Sequence, residues 1–274
     1  MKKLLALALA LLMILALSAC SDKEKEDEND LDDYVQEDDV VITHVTIGES
    51  TFHFDSIDSE TVKITDYTGP DSPHDVEIPE KLNEKTVVSI DKQAFYYSNL
   101  QSVTIPSTVT SIGEAAFAGC AELKSVTIPA SVKAIGTKAF YGCTALTTLT
   151  FAAESALTDI EEHTFYGCTK LASVSIPAYI NTVGTGAFYG CDALAEITIA
   201  EGVEVIGAQA FQNCKALASL TLPASVVSIG EYAFSGSENL YRDGVTCPKD
   251  SYAEGKIDAM DLAATAPAET TPAA

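Results

Sequence analysis

Leu123-Lys-Ser-Val-Thr-Ile-Pro129, then Val132, Ile135-Gly136, Ala139-Phe140 and Cys143, is a line that this 274-residue chain writes almost unchanged seven times. The repeat phenylalanines are Phe95, Phe117, Phe140, Phe165, Phe188, Phe211 and Phe234, with steps of 22, 23, 25, 23, 23 and 23 residues. A fixed period in the low twenties means a stacked solenoid, because a unit that short cannot bury its own apolar face and borrows its neighbours'. Most apolar and glycine positions are thereby explained as architecture, and function has to be sought on what the repeat leaves outside.

Within one copy, Leu100-Gln-Ser-Val-Thr-Ile-Pro106, the residues Val103, Thr104 and Ile105 alternate with period two, so Val and Ile face inward and Thr outward. The strand recurs at 125–128, 148–151, 173–176, 196–199 and 219–222, and proline closes four of these six copies. Stacked at about 4.8 Å, such strands make a parallel sheet along one side. Val109-Thr-Ser-Ile112-Gly113 then turns the chain, glycine standing where a side chain would obstruct. In Glu114-Ala-Ala-Phe117-Ala-Gly-Cys120 the apolar residues have helical spacing, which predicts a helical turn or more that packs Phe117 and Cys120 inward.

The pattern Leu-x-x-Val-x-Ile-Pro-x-x-Val-x-x-Ile-Gly-x-x-Ala-Phe-x-x-Cys resembles the BspA-like leucine-rich repeats of bacterial surface proteins, from about Val76 to Ala253. Thr61 to Gly69, Asp75-Val-Glu-Ile-Pro79 and Asn83 to Ile90 look like that family's opening segment, and Asp250-Ser-Tyr-Ala253 like its closing one. Gly244-Val-Thr-Cys-Pro248 puts Cys247 where the strand usually has an apolar residue. The expected fold is a leucine-rich-repeat solenoid of α/β type, mostly β with short helical turns. It has seven repeats, a parallel sheet along one side and a β-rich N-terminal cap. The resemblance implies adhesion to extracellular proteins.

The first residues set the compartment. Met1-Lys2-Lys3 is followed by an uncharged apolar run from Leu4 to Leu17, shorter than the roughly 20 residues that cross a bilayer comfortably. It ends in Leu17-Ser18-Ala19-Cys20, which resembles the lipobox of bacterial lipoproteins; there the peptide is cut before the cysteine and lipid is attached to its sulfur. The competing reading is an ordinary signal peptide ending at Ala19 with an incidental Cys20. The order of lysines, apolar run, small residues and cysteine favours lipidation at Cys20, and two or more acyl chains anchor stably where one is marginal. The expected organisation is a signal peptide at 1–19, an acidic disordered tether at 20–40, a β cap at 41–74, the solenoid at 75–257 and a disordered tail at 258–274. The expected location is the cell membrane, with the protein exported and facing the cell surface or periplasm.

The chain carries 16 Lys and Arg against 40 Asp and Glu, a net charge of −24. Such a surface repels phosphate backbones, which argues against a nucleic-acid partner. Two departures interrupt the repeat. Phe151-Ala-Ala-Glu-Ser-Ala-Leu-Thr-Asp-Ile160 lengthens one step, lacks the proline and is followed by Glu161 in place of glycine. The extra residues should bulge at a corner, and the nearby Asp159, Glu161, Glu162 and His163 read as a solvated acidic loop, since no spacing gathers them into a coordination sphere. Tyr241-Arg242 before the last strand reads as local irregularity. Cys120, Cys143, Cys168, Cys191 and Cys214 each follow the repeat phenylalanine by three residues, with Ser98 and Ser237 in the outermost copies. Parallel Cβ directions about 5 Å apart exceed the ~3.8 Å typical of a disulfide, so these are expected to be a buried, reduced ladder.

No Gly-x-Ser-x-Gly elbow, His-Glu-x-x-His or phosphate loop occurs, and His44, His53, His74 and His163 are scattered. No catalytic residue, metal ligand or cofactor is expected, and the chain is read as a monomeric non-enzyme. What remains is surface. The outward strand positions form one row of Ser102, Ser125, Thr148, Ser173, Glu196 and Ser219 and another of Thr104, Thr127, Thr150, Ser175, Thr198 and Thr221. This is the candidate face for an extracellular protein or glycan, although such rows are also good sheet chemistry. Tyr141, Tyr166 and Tyr189, with Tyr96 in the first copy, form a second candidate row. The leading reading is an adhesin-like surface lipoprotein; the alternative is a non-adhesive spacer or assembly component of the envelope.

Overall fold

The structure is a computed structural model that describes residues 42–260. The expected signal peptide at 1–19, Cys20, the expected tether at 20–40 and residues 261–274 of the expected tail lie outside the described residues. The cap comprises β1 (His44–Ile47), β2 (Ser50–Ser56), β3 (Thr61–Thr68), β4 (His74–Glu77), β5 (Lys81–Leu82) and β6 (Lys85–Ile90). β1 to β3 pair antiparallel in sequence, and β3 then pairs parallel with β6, handing the sheet to the repeats.

The repeats alternate a longer and a two-residue strand. These are β7 (Leu100–Thr104), β8 (Ser111–Ile112), β9 (Ser125–Ile128), β10 (Ala134–Ile135), β11 (Thr148–Phe151), β12 (Asp159–Ile160), β13 (Ser173–Ile176) and β14 (Thr182–Val183). There follow β15 (Glu196–Ile199), β16 (Val205–Ile206), β17 (Ser219–Thr221), β18 (Ser228–Ile229), β19 (Val245–Thr246) and the helix α1 (Tyr252–Asp258). The long strands of successive coils pair parallel, and so do the short ones. Parallel ladders therefore run along two sides rather than one. With β4 and β19 taking the long-strand place in the caps, the solenoid has about eight turns.

The third side corrects the expected helical turn. Residues such as 114–119 form consecutive turns instead of a helix. The backbone is left-handed at Ala115, Lys138, His163, Gly186, Gln209 and Tyr232 (φ 53 to 61°), which breaks a right-handed helix after its first residue. Every second N–H then leaves the segment altogether. Ala115, Phe117 and Gly119 donate to Thr137, Ala139 and Tyr141 of the next coil at 3.0, 2.7 and 2.7 Å. The N–H groups between them close tight turns, as Ala116 to Gly113 O and Ala118 to Ala115 O. Inter-coil bonding consumes the donors that a helix would need.

Between the three sides lies one continuous core. Six of the seven repeat phenylalanines are 0 % exposed and Phe234 is 6 % exposed. Their rings stack in a single file with centroids 4.9 to 5.6 Å apart. Tyr67 of β3 closes the file over Phe95 at 4.8 Å, backed by Phe52. Glycine holds the coils close at the short strands: a Cβ on Gly136 would stand 2.5 Å from the Glu114 nitrogen of the coil before it.

The ladders break where the glycine is missing. Gly136 N–H donates to Ile112 O at 2.8 Å and Gly184 to Ile160 O at 2.7 Å, but Glu161, which has the Cβ, makes no equivalent bond to Ile135 among the described residues. β10 and β12 are unpaired there, and β11 and β13 are unpaired at the same level. Both sheets thus end and restart at the lengthened step. The turn side runs straight through, with Lys138, Phe140 and Gly142 donating to Glu162, Thr164 and Tyr166. The phenyl file also continues, Phe140 to Phe165 at 5.4 Å. Tyr179 reaches across the break to donate its hydroxyl to Ala152 O at 2.8 Å. Near the C-terminus, Arg242 is a staple rather than an irregularity. Its Nε donates to Asp258 at 3.1 Å and its guanidinium to Val245 O at 3.2 Å, fixing α1 to the preceding turn.

Candidate interaction face

Period-two alternation places Ser102, Ser125, Thr148, Ser173, Glu196 and Ser219 in one outward row and Thr104, Thr127, Thr150, Ser175, Thr198 and Thr221 in the other. Ser102, Thr198 and Thr221 are half-buried and the remaining nine exposed. Their registers are direct: Thr148 opposite Ser125, Thr150 opposite Thr127, Ser173 opposite Glu196 and Ser175 opposite Thr198. The break separates them into two patches, carried by β7, β9 and β11 and by β13, β15 and β17.

The first patch extends further than the repeat count suggested. β4 adds Asp75 opposite Ser102 and Glu77 opposite Thr104, and Ser102 donates to Asp75 at 2.6 Å. The signal was in Asp75-Val-Glu-Ile-Pro79, which has the strand-and-proline form of a full copy. At the other end β19 adds Thr246 opposite Thr221. Carboxylates at Asp75, Glu77 and Glu196 among hydroxyls, with no Lys or Arg at these outward positions, give a polar and acidic face. A shallow depression of about 340 Å³ lies against Ser102, Thr104, Ser125, Thr127 and Pro129.

The tyrosine row is shorter than expected. Tyr141, Tyr166 and Tyr189 stack with centroids 4.7 Å apart at each step, and Asn213 donates to the Tyr189 hydroxyl at 2.9 Å. Partial burial, with the flanking tyrosines, raises the Tyr166 pKa. Tyr96 does not join: Ala118 occupies the next place, and Tyr96 packs edge-on against Tyr97 instead. Because this stack crosses the break, it helps hold the two halves together.

The five ladder cysteines are buried and free. Each thiol donates to the carbonyl of the preceding coil's phenylalanine, from Cys120 to Phe95 O at 3.1 Å through Cys214 to Phe188 O at 3.4 Å. Burial pushes Cys120 and Cys214 up to about 12 and holds the three between them well above the usual thiol range, so none is a thiolate nucleophile near neutrality. In the lengthened step, Glu162 lies 3.1 Å from His163 Nδ1, and Asp159 accepts from Thr158 at 2.6 Å. No group of three or more His, Cys, Asp or Glu among the described residues is placed to hold a metal ion. At the cap junction Ser50, Tyr67 and His74 form a hydrogen-bonded chain of 2.7 Å links, and His74 Nδ1 donates to Ser72 O at 2.9 Å. It locks the cap tyrosine over the phenyl file. Among the described residues, no helix is long and apolar enough to cross a membrane.

Known proteins share this geometry. The family model for the BspA type leucine rich repeat region matches six copies, over residues 88–218 and 181–249. A leucine rich cell surface protein of Faecalibacterium prausnitzii is 32% identical with a TM-score of 0.62, over 76% of this chain and 55% of its own. A leucine rich repeat protein of T. pallidum is 27% identical with a TM-score of 0.65, over 78% and 97%. A leucine-rich repeat protein of Eubacterium ventriosum is 28% identical with a TM-score of 0.60, over 71% and 50%. The chain therefore spans about half the length of the first and third of these. Among curated proteins nothing matches. With the repeat matched over more than half its length, the chain belongs to the BspA-type leucine-rich repeat family.

Proposed function

We propose that this is an exported surface lipoprotein, anchored through lipid on Cys20, that binds an extracellular protein or glycan across the long-strand face. The observation that carries this is the set of outward rows. Of their twelve side chains only Ser102 hydrogen-bonds another side chain among the described residues, so the hydroxyls stand ready for a partner. The acidic members favour a basic or hydroxyl-rich ligand and disfavour nucleic acid. The name of the Faecalibacterium protein supports a surface location. The scaffold acts as a monomer, without cofactor or catalysis.

The test is binding of the chain from Cys20 onward to immobilised matrix proteins and glycans. Saturable binding that is lost when Thr127, Thr150 and Ser175 are replaced together, with the fold intact by circular dichroism, supports the reading. Binding to nothing in the panel returns the protein to the role of an envelope spacer. Metabolic labelling with a palmitate analogue, compared with Cys20→Ala, tests the anchor.

A further inference from the structure

On the turn side each coil has a second left-handed position, two residues after its phenylalanine. Gly119, Gly142, Gly167, Gly190, Asn213 and Gly236 stand there with φ of 61 to 78°. Glycine takes this backbone freely and asparagine tolerates it. The coil of Phe95 instead puts Tyr97 there, at φ 56°. Its N–H donates to Ala118 O at 2.9 Å, as Gly119 does to Tyr141 O at 2.7 Å. Pairing between coils thus holds a bulky residue in a conformation that crowds its Cβ. Packing does little to offset this. The Tyr97 ring lies over Gly119, where a Cβ would stand 2.7 Å from it, yet the residue is 67 % exposed. Strained backbone carrying a side chain that the fold leaves in solvent points to contact with a ligand.

The surroundings suit one. Tyr96, 48 % exposed, meets Tyr97 at 88° with centroids 4.4 Å apart, so two open rings form a corner. Beside them, where the turn side meets the start of β4, a depression of about 220 Å³ is lined by Gly69, Asp71, His74, Tyr97 and Asn99 among others. Its walls are fixed. Asn99 Nδ2 donates to Asp71 O at 2.8 Å and Tyr67 donates to His74 Nε2 at 2.7 Å. A Cβ on Gly69 would collide with both of those rings. Asp71 and Asn99 are exposed, and the Asp71 carboxylate and Asn99 Oδ1 have no hydrogen-bond partner among the described residues.

An exposed aromatic face takes the C–H face of a sugar ring, and carboxylate and amide oxygens beside it accept from the ring's hydroxyls. A depression of this size holds about one such ring of a longer glycan. The net charge of −24 disfavours sulfated and carboxylated sugars. Asp71 is the one carboxylate in the lining, and the neutral oxygens around it favour hydroxyls over a cation.

We propose that the Tyr96–Tyr97 corner and its depression bind one neutral pyranose ring of a glycan, with Tyr97 stacked on the ring and Asp71 and Asn99 accepting from its hydroxyls. This site is separate from the long-strand face. Amide chemical shifts of the chain from Cys20 onward, titrated with the methyl glycosides of glucose, galactose, mannose and N-acetylglucosamine, test it. A single ring should bind with a Kd of about 1 mM, shifting Asp71, Tyr97 and Asn99 saturably for at least one of the four. Tyr97→Gly gives this coil the residue of its neighbours, so it should weaken that binding at least about tenfold and leave the melting temperature unchanged or higher. Joint replacement of Thr127, Thr150 and Ser175 should leave it unaltered, which separates this site from the long-strand face. No saturable shift with any of the four sugars overturns the proposal, as does binding that survives Tyr97→Gly. A lowered melting temperature for Tyr97→Gly also overturns it, since the tyrosine would then serve stability. Saturable shifts with tetramethylammonium but with no sugar would make this a cation site and overturn it equally.

Discussion

Replacing Phe165 by alanine should divide the solenoid, whereas the same change at Phe188 should only weaken it. Both rings are 0 % exposed and both stack on two neighbours, Phe165 at 5.4 and 5.2 Å and Phe188 at 5.2 and 5.3 Å. Each substitution should cost about 3–5 kcal/mol from lost burial and the cavity left behind. Their surroundings differ. Phe188 sits in coils joined by β13 to β15 and by β14 to β16, so the flanking halves stay coupled without it. Phe165 sits where both sheets are interrupted. Coupling there rests on the ring stack, three turn-side hydrogen bonds, the Tyr141 to Tyr166 contact, the Tyr179 hydroxyl and the weaker bonds of Cys168 to Phe140 O and Thr169 to Thr144 O. In a solenoid, cooperativity is a nearest-neighbour quantity, so losing the stack at a weak junction separates the halves. Urea unfolding by far-UV circular dichroism, with exchange of each half followed by mass spectrometry, should show two transitions of lower m for Phe165→Ala and one for Phe188→Ala. One coincident transition of unchanged m in both variants would refute the reasoning.

Three further outcomes follow from the same geometry. Gly136→Ala should lose about 1–3 kcal/mol from backbone overpacking, and Gly142→Ala, with open space but φ +69°, about 1–2 kcal/mol from left-handed strain alone; thermal melts of the pair separate the two costs. With thiol reagent at pH 8, the five ladder cysteines should stay unmodified in the folded chain and react in denaturant without any reductant, while the half-buried Cys247 reacts first; intact mass gives the count, and a need for reductant would contradict the free-thiol ladder. Lys63 donates to Asp91 at 2.6 Å, which lowers the Asp91 pKa and raises that of Lys63. The pair's contribution is therefore present between about pH 4 and 10, is lost as the pH falls through the depressed carboxyl pKa, and is lost again as the pH rises through the elevated amine pKa. Asp91→Asn should lower the melting temperature at pH 7 and converge with the parent once the pH has fallen through the depressed Asp91 pKa.

The regular part of this fold was legible because each repeat position has one physical duty. Period two in Ser125-Val-Thr-Ile128 gave the strand and its buried face, and Ile135-Gly136 gave the close approach of the short strands. The turn side was misread because Ala115, Ala116, Phe117 and Cys120 have helical spacing, yet spacing cannot reveal that Ala115 or Lys138 adopts a positive φ. That conformation is imposed by bonding to the next coil, a tertiary effect. The lengthened step was visible as extra residues and a missing glycine. That both ladders are interrupted there is a matter of pairing between coils, whose partners lie a whole repeat away in sequence. For the candidate face, the row positions were readable from alternation. Asp75 and Glu77 were missed as members because the cap reaches them without a repeat phenylalanine, although their strand pairs in register with Ser102 and Thr104.

The turn side also gives every coil two opposed bonding senses. At every one of its junctions the N–H groups point toward the C-terminal end and the accepting carbonyls toward the N-terminal end. The bonds that flank the strands run the other way, as Gly136 N–H to Ile112 O and Ala152 N–H to Ile128 O. The two sets face each other across the phenyl file, so their peptide dipoles oppose instead of adding as they do along a helix. Each coil therefore grips the one before it and the one after it with donors of its own, on different sides of the core.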